Sequence, residues 1–116
     1  NVNADKGHVY FLSMKVEQQD QFKELAEKFT KKTGIQVDIA TASSDTYEQS
    51  LKSELAKSEA PTLFDVGNND FLNWTNYYAD MSGTNIYKDQ ENPDYALKDG
   101  DTVGAVPYVI TIWHLQ

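Results

Sequence analysis

The chain has 116 residues, and a domain of this length buries about two-thirds of the surface that its unfolded chain exposes. The chain has 18 acidic residues and ten basic ones, all of them Lys, which gives a formal net charge of −8. This charge argues against a nucleic acid or an anionic membrane as partner, because both attract basic surfaces. The absence of Cys excludes disulfides and thiolate zinc sites.

The first predicted elements are a strand and a helix. His8–Ser13 is a continuous apolar run, which is typical of a strand covered on both faces. Apolar residues then recur at helical spacing and predict a helix from about Asp20 to Thr33. Gly34 follows the last turn, where a residue without a Cβ permits a left-handed cap. The apolar residues of this helix are Phe22, Leu25, Ala26 and Phe29.

A second strand, a second helix and a third strand follow. The alternation of apolar and polar residues over 35–39 predicts a strand. Asp45 and Glu48 have the spacing of a capping box at the start of a helix. Leu63–Val66 predicts a short third strand after Pro61. The apolar face of the second helix carries Tyr47, Leu51 and Leu55.

The last third of the chain predicts a helix, an irregular segment and a hairpin. Asp70 is placed to cap a third helix that carries Phe71, Leu72, Trp74 and Tyr78. Residues 80–96 are predicted to be irregular. Asp99-Gly100 is a turn signal between two short strands. Residues 108–113 are apolar and predict a further strand with an exposed edge.

The order of these elements predicts the fold class. Strands that alternate with helices favour an α/β fold with an open, mostly parallel sheet and helices on both faces. In such sheets the binding crevice lies outside the carboxyl ends of the strands, where three polar loops are expected to meet. Hydroxyl, amide and carboxylate groups suit a neutral, polyhydroxylated ligand. The polar residues of these loops are Lys15, Glu17, Ser43, Ser44, Asn68, Asn69 and Asp70.

Each of these residues also has a purely structural interpretation. Ser44 or Asp45 can serve as a helix cap, and so can Asp70. Lys15 and Glu17 can be a solvated pair, and Trp74 is expected to pack in the core rather than to stack on a sugar. The convergence of three loops therefore carries more weight than any single side chain.

The sequence offers little for catalysis. Its two histidines, His8 and His114, have no matching nucleophile motif, and no zinc, calcium or phosphate-loop motif is present. We therefore expect no enzyme activity, no cofactor and no metal site.

Four segments together resemble a known family. They are FKELAEKFTKKTGIQV (22–37), YEQSLKSELA (47–56), APTLFDVG (60–67) and DGDTVGAVPY (99–108). In this order they are similar to the N-terminal part of the extracellular solute-binding proteins of ABC importers, in the sugar-binding branch that includes maltose-binding protein.

The resemblance implies a two-lobed protein of the periplasmic-binding-protein type, of which this chain holds an incomplete first lobe. Residues 1–7 would be a flexible tether, and residues 8–116 would be the N-terminal part of lobe one, ending near the first hinge crossing. The second lobe of the same polypeptide would be missing. Carried over, the family's ligand contacts fall on the seven loop residues named above, and Tyr108 sits beside the hinge.

The implied function is capture of a carbohydrate by lobe closure and its delivery to an ABC permease. The implied location is extracellular, as a cell-surface lipoprotein or in the periplasm. Two alternatives stay open. One is a binding protein for another solute, such as a polyamine, an iron complex or a phosphorylated compound. The other is a free-standing flavodoxin-like domain for signalling or interaction.

Overall fold

The computed structural model describes residues 7–67, 71–90 and 93–107. The chain divides into two compact units, residues 1–65 and residues 66–116. None of the helices in the described residues has the length and hydrophobicity of a membrane-spanning segment.

The first unit is built on a parallel sheet of three strands, β1 (His8–Ser13), β2 (Gln36–Thr41) and β3 (Leu63–Phe64). Their order is β2-β1-β3. The register runs from His8 opposite Gln36 to Ser13 opposite Thr41, and Leu12 pairs with Phe64. The predicted parallel sheet is confirmed, with a third strand shorter than the predicted Leu63–Val66.

The helix α1 (Gln19–Thr33) follows β1 after a 3-10 turn at Val16–Gln18. Gly34 adopts the left-handed conformation at φ 77°, and its N–H donates to the carbonyl of Thr30 at 2.8 Å. The Thr30 hydroxyl donates to the carbonyl of Ile35 at 2.8 Å and leads the chain into β2. Both the helix and its glycine cap are confirmed.

The two helices of this unit lie on opposite faces of the sheet. The Phe11 ring packs edge-on against Phe22 of α1, with ring centroids 5.7 Å apart. The Tyr10 hydroxyl donates to Glu54 of α2 (Tyr47–Leu55) at 3.1 Å. Neighbouring residues of a strand point to opposite faces, so α1 and α2 sandwich the sheet, as predicted. On α2, Leu51 is fully buried.

The predicted capping box at the start of α2 is wrong. The cap residue is Thr46, and its side chain makes no capping hydrogen bond. Asp45 lies one residue too early, and its carboxylate accepts instead from the Ser43 hydroxyl at 2.6 Å. The Glu48 carboxylate pairs with Lys52 one turn later, at 2.7 Å, instead of accepting from the backbone N–H of the predicted cap residue.

The second unit contains short elements and a hairpin. The 3-10 turns Phe71–Trp74 and Pro93–Tyr95 flank the one-turn helix α3 (Asn85–Lys88). The strands β4 (Leu97–Asp99) and β5 (Thr102–Ala105) pair antiparallel around Gly100, at φ 61°. This confirms the predicted hairpin, whereas the irregular segment predicted at 80–96 contains α3. The strand predicted at 108–113 lies outside the described residues.

The third helix predicted after Asp70 is wrong, because only one 3-10 turn forms. The rings of Phe71 and Tyr78 stack with centroids 5.0 Å apart and planes 9° from parallel. Seven residues of continuous α-helix would separate their Cα atoms by about 10 Å along the axis. The chain therefore turns back between them, and a stacked pair of rings forms in place of the predicted helix. Trp74, which lies between the two residues in sequence, is buried.

Candidate functional site

Two of the predicted loops leave the first unit from one edge of its sheet. The first rim loop, residues 14–18, follows β1, and the second rim loop, residues 42–46, follows β2. Parallel register places the carboxyl ends of both strands side by side, with Ser13 opposite Thr41. The N–H of Ala42 donates to the carbonyl of Ser13 at 3.0 Å and ties the loops together at their base.

In the first rim loop, Lys15 is half-buried and Glu17 is exposed. The backbone of Lys15 is fixed on both sides, because its N–H donates to the Ser13 hydroxyl at 3.1 Å and its carbonyl accepts from the Gln18 N–H at 3.1 Å. After Lys15 the chain therefore enters the 3-10 turn Val16–Gln18, which forms the rest of this loop and precedes α1.

In the second rim loop, both predicted serines are exposed. The Ser43 hydroxyl donates to Asp45 and lies 3.0 Å from the Thr46 hydroxyl. This hydrogen bond from Ser43 holds the pKa of the Asp45 carboxyl below its ordinary value. Because the Ser43 hydroxyl donates its proton to this hydrogen bond, its oxygen remains available as an acceptor. Ser44 presents its side chain at the surface.

The remaining predicted site residues are Asn68, Asn69, Asp70 and Tyr108. They lie outside the described residues, so their part in a site stays a prediction.

Beneath the first rim loop lies a buried polar network that the sequence reasoning missed. Ser13, Asp65 and Tyr47 expose 0%, 6% and 6% of their surface. The Asp65 carboxylate accepts from the Ser13 hydroxyl at 2.8 Å and from the Met14 N–H at 2.9 Å. The Tyr47 hydroxyl lies 2.8 Å from the carbonyl of Asp65 and 3.1 Å from that of Leu12. The network thus joins β1, α2 and the residue that follows β3, at the carboxyl end of the sheet.

One signal in the sequence could have revealed this network. Asp65 interrupts the apolar run LFDV, and an acidic residue inside a buried strand segment needs hydrogen-bond partners. Ser13 closes the first apolar run in the same way. The pairing itself spans 52 residues, so no local pattern points from one residue to the other.

A second polar cluster lies at the amino ends of the strands, away from the rim. His8 Nε2 and Asp38 Oδ2 are 2.6 Å apart, and this hydrogen bond lowers the pKa of Asp38. Burial, together with the bond to Glu54, raises the pKa of Tyr10. These side chains line a depression of about 570 Å³. Among the described residues, no group of His, Asp and Glu side chains is arranged to hold a metal ion.

Comparison with solved structures reveals the same fold in three bacterial proteins. A family 1 extracellular solute-binding protein from Bifidobacterium longum subsp. infantis is 24% identical, with a TM-score of 0.64 over 83% of this chain. The apo-form of RafE from Streptococcus pneumoniae is 14% identical, with a TM-score of 0.65 over 84%. An ABC substrate-binding protein from Listeria monocytogenes, in complex with cycloalternan, is 19% identical, with a TM-score of 0.54 over 81%.

This chain spans about a quarter of each of those proteins, 26%, 26% and 25% of their lengths. At such identities the likeness concerns the fold alone. No curated protein matches the chain. The sequence profile described as "bacterial extracellular solute-binding protein", however, matches residues 15–113. Because this match covers most of the sequence, the chain belongs to the family of bacterial extracellular solute-binding proteins.

Proposed function

We propose that the protein is the extracellular carbohydrate-binding component of an ABC importer. Sugar would be captured between two closing lobes and delivered to the permease. The observation that carries this proposal is the pair of polar loops that leave one sheet edge in a chain of the solute-binding family. The cycloalternan bound to the Listeria protein supports a sugar as the solute class.

The chemistry of the rim fits a neutral sugar. Ser43 and Ser44 supply hydroxyl oxygens, Lys15 an ammonium donor and Glu17 a carboxylate acceptor. Sugar hydroxyls both donate and accept, so a mixed set of groups satisfies them. The proposal extends this surface to Asn68, Asn69 and Asp70 after β3, and to Tyr108 at the hinge.

The proposal also covers the rest of the transport machinery. The partners would be the membrane subunits of an ABC permease and a second lobe of the same polypeptide. Residues 1–7 would be a flexible tether, and residues 8–116 the first part of lobe one. The protein would act outside the cell as a lipoprotein or in the periplasm, as a binding protein and not as an enzyme. Family membership favours this role over a free-standing signalling domain.

Calorimetry on the complete two-lobed polypeptide tests the proposal. Titration with a panel of neutral oligosaccharides should give saturable binding for at least one of them. Lys15→Ala should weaken this binding by about 10–100-fold, because a hydrogen bond to a charged group contributes roughly 1.5–3 kcal/mol.

Lys28→Ala is the matched control. Lys28 is an exposed lysine on α1, paired with Glu24 at 3.0 Å and remote from the rim loops. Its removal should leave the affinity unchanged. Binding of a polyamine or a phosphorylated compound, with no response to any neutral sugar, would refute the carbohydrate assignment.

A further inference from the structure

We infer that Asp65 is a positioning residue for the ligand surface. Its buried carboxylate holds the first rim loop in one backbone conformation before the ligand arrives. The inference rests on the proposed function, since it takes the rim loops as the ligand surface. Asp65 itself lies below that surface and is 6% exposed.

The carboxylate fixes two consecutive loop residues. It accepts directly from the N–H of Met14 at 2.9 Å. It also accepts a hydrogen bond from the Ser13 hydroxyl, and the oxygen of this hydroxyl accepts one from the N–H of Lys15 at 3.1 Å, so that the three residues form a relay. Ser13 has a single hydroxyl proton and the carboxylate can only accept. The hydrogen bonds therefore run in one direction, from the Lys15 N–H to Ser13 and from Ser13 to Asp65.

A different part of the network holds the strands. The Tyr47 hydroxyl donates to the backbone carbonyls of Leu12 and Asp65. Asp65 therefore acts through its side chain on the loop, whereas Tyr47 acts on the register of β1 and β3. The two functions are separable by substitution.

Preorganisation gives the relay a functional consequence. Fixing the backbone of a free residue costs roughly 1–2 kcal/mol, which is about tenfold in an equilibrium constant. If the loop is already ordered in the absence of ligand, binding does not have to include this loss of conformational entropy. If Asp65 no longer holds Met14 and Lys15, binding must order them, and the affinity falls.

The test combines amide hydrogen exchange with sugar affinity, both measured on the complete polypeptide. Asp65→Ala removes the Oδ2 atom that accepts both hydrogen bonds, whereas the amide oxygen of an Asn could take the place of that atom. We expect the amides of Met14 and Lys15 to exchange at least about tenfold faster, while those of Val9–Phe11 inside β1 change little. The affinity for the bound sugar should fall about tenfold.

Two further variants make the result specific. Ser13→Ala breaks only the relay, so the Lys15 amide should accelerate while Met14 keeps its bond to Asp65. Tyr47→Phe should lower the melting temperature without selective loosening of either amide. A general loss of stability would instead speed exchange throughout β1.

Two outcomes would overturn the inference. One is unchanged exchange at Met14 and Lys15 relative to Val9–Phe11 in Asp65→Ala. The other is selective loosening of the loop with an unchanged sugar affinity. Failure of the proposed function looks different: the unaltered protein would bind no sugar of the panel. The exchange measurements would still decide whether Asp65 holds the loop.

Discussion

Gly104 in the hairpin of the second unit faces two aromatic rings. A Cβ atom at this position would lie 2.6 Å from a ring carbon of Tyr78 and even closer to the ring of Phe71. Gly104 is buried on β5, where these stacked rings cover it. We therefore predict that Gly104→Ala destabilises the protein through overlap with the Phe71–Tyr78 stack.

The expected cost follows from the geometry. Real Cβ atoms do not approach a neighbouring heavy atom this closely, so the stack must shift or the strand must move away. Overpacking of a filled core costs typically about 1–3 kcal/mol. Gly83 is the matched control, because a Cβ there would meet nothing within 4 Å. Gly83→Ala should change the free energy of unfolding by less than about 1 kcal/mol, in the stabilising direction.

Urea unfolding of the complete polypeptide, followed by fluorescence of its aromatic residues, measures both variants against the unaltered protein. The double variant Gly104→Ala with Phe71→Leu should recover part of the loss, since the smaller side chain makes room for the methyl group. Equal unfolding midpoints for Gly104→Ala and Gly83→Ala would refute the close approach of backbone and rings.

Two further predictions concern stability. Leu51→Ala should lower the free energy of unfolding in urea by about 2–5 kcal/mol, because Leu51 is fully buried. Leu25 is 61% exposed, so Leu25→Ala should lower it by less than about 0.5 kcal/mol. Losses of similar size in the two variants would contradict the packing of α2. Hydrogen bonds from the backbone of Ser82 and Val103 hold the pKa of Asp80 below its ordinary value. The stabilisation by this carboxylate is therefore present above its unfolded pKa of about 3.9 and is lost as the pH falls towards the lower folded value. Asp80→Asn should lower the melting temperature at neutral pH and have no further effect in strong acid; a loss of equal size at every pH would contradict this.

Elements defined by local patterns were predictable from the sequence. Periodicity places β1 and α1 within about a residue, because a continuous apolar run and a helical spacing each specify one kind of element. The cap at Gly34 follows from a single residue with a special backbone conformation.

The errors arise where a tertiary contact overrides a local pattern. The apolar spacing after Asp70 is compatible with a helix, but it cannot show that the ring of Phe71 stacks on that of Tyr78. The capping pattern at Asp45 is equally plausible in isolation. It does not show that the Asp45 carboxylate accepts from the Ser43 hydroxyl instead of capping the helix.

The same distinction between local patterns and tertiary contacts applies to the candidate site. The common edge of the two rim loops was predictable, because it follows from strands that alternate with helices in a parallel sheet. The Asp65 network was not, because its members come from β1, α2 and the end of β3. The side chains that the proposal assigns to the ligand surface are thus recognisable in the sequence, whereas the network beneath the first rim loop is not.

The position of Asp65 is itself an argument for a role beyond stability. Among the described residues, the buried polar and charged ones are Ser13 and Asp65, and both lie directly under the first rim loop. Taking a carboxylate out of water is costly, and well-packed apolar residues in place of a buried charged network are often neutral or stabilising. Folding alone would thus be served as well by an apolar pair at this end of the sheet. An apolar pair could not, however, accept the N–H groups of Met14 and Lys15, which face this network from the loop that the proposal assigns to the ligand.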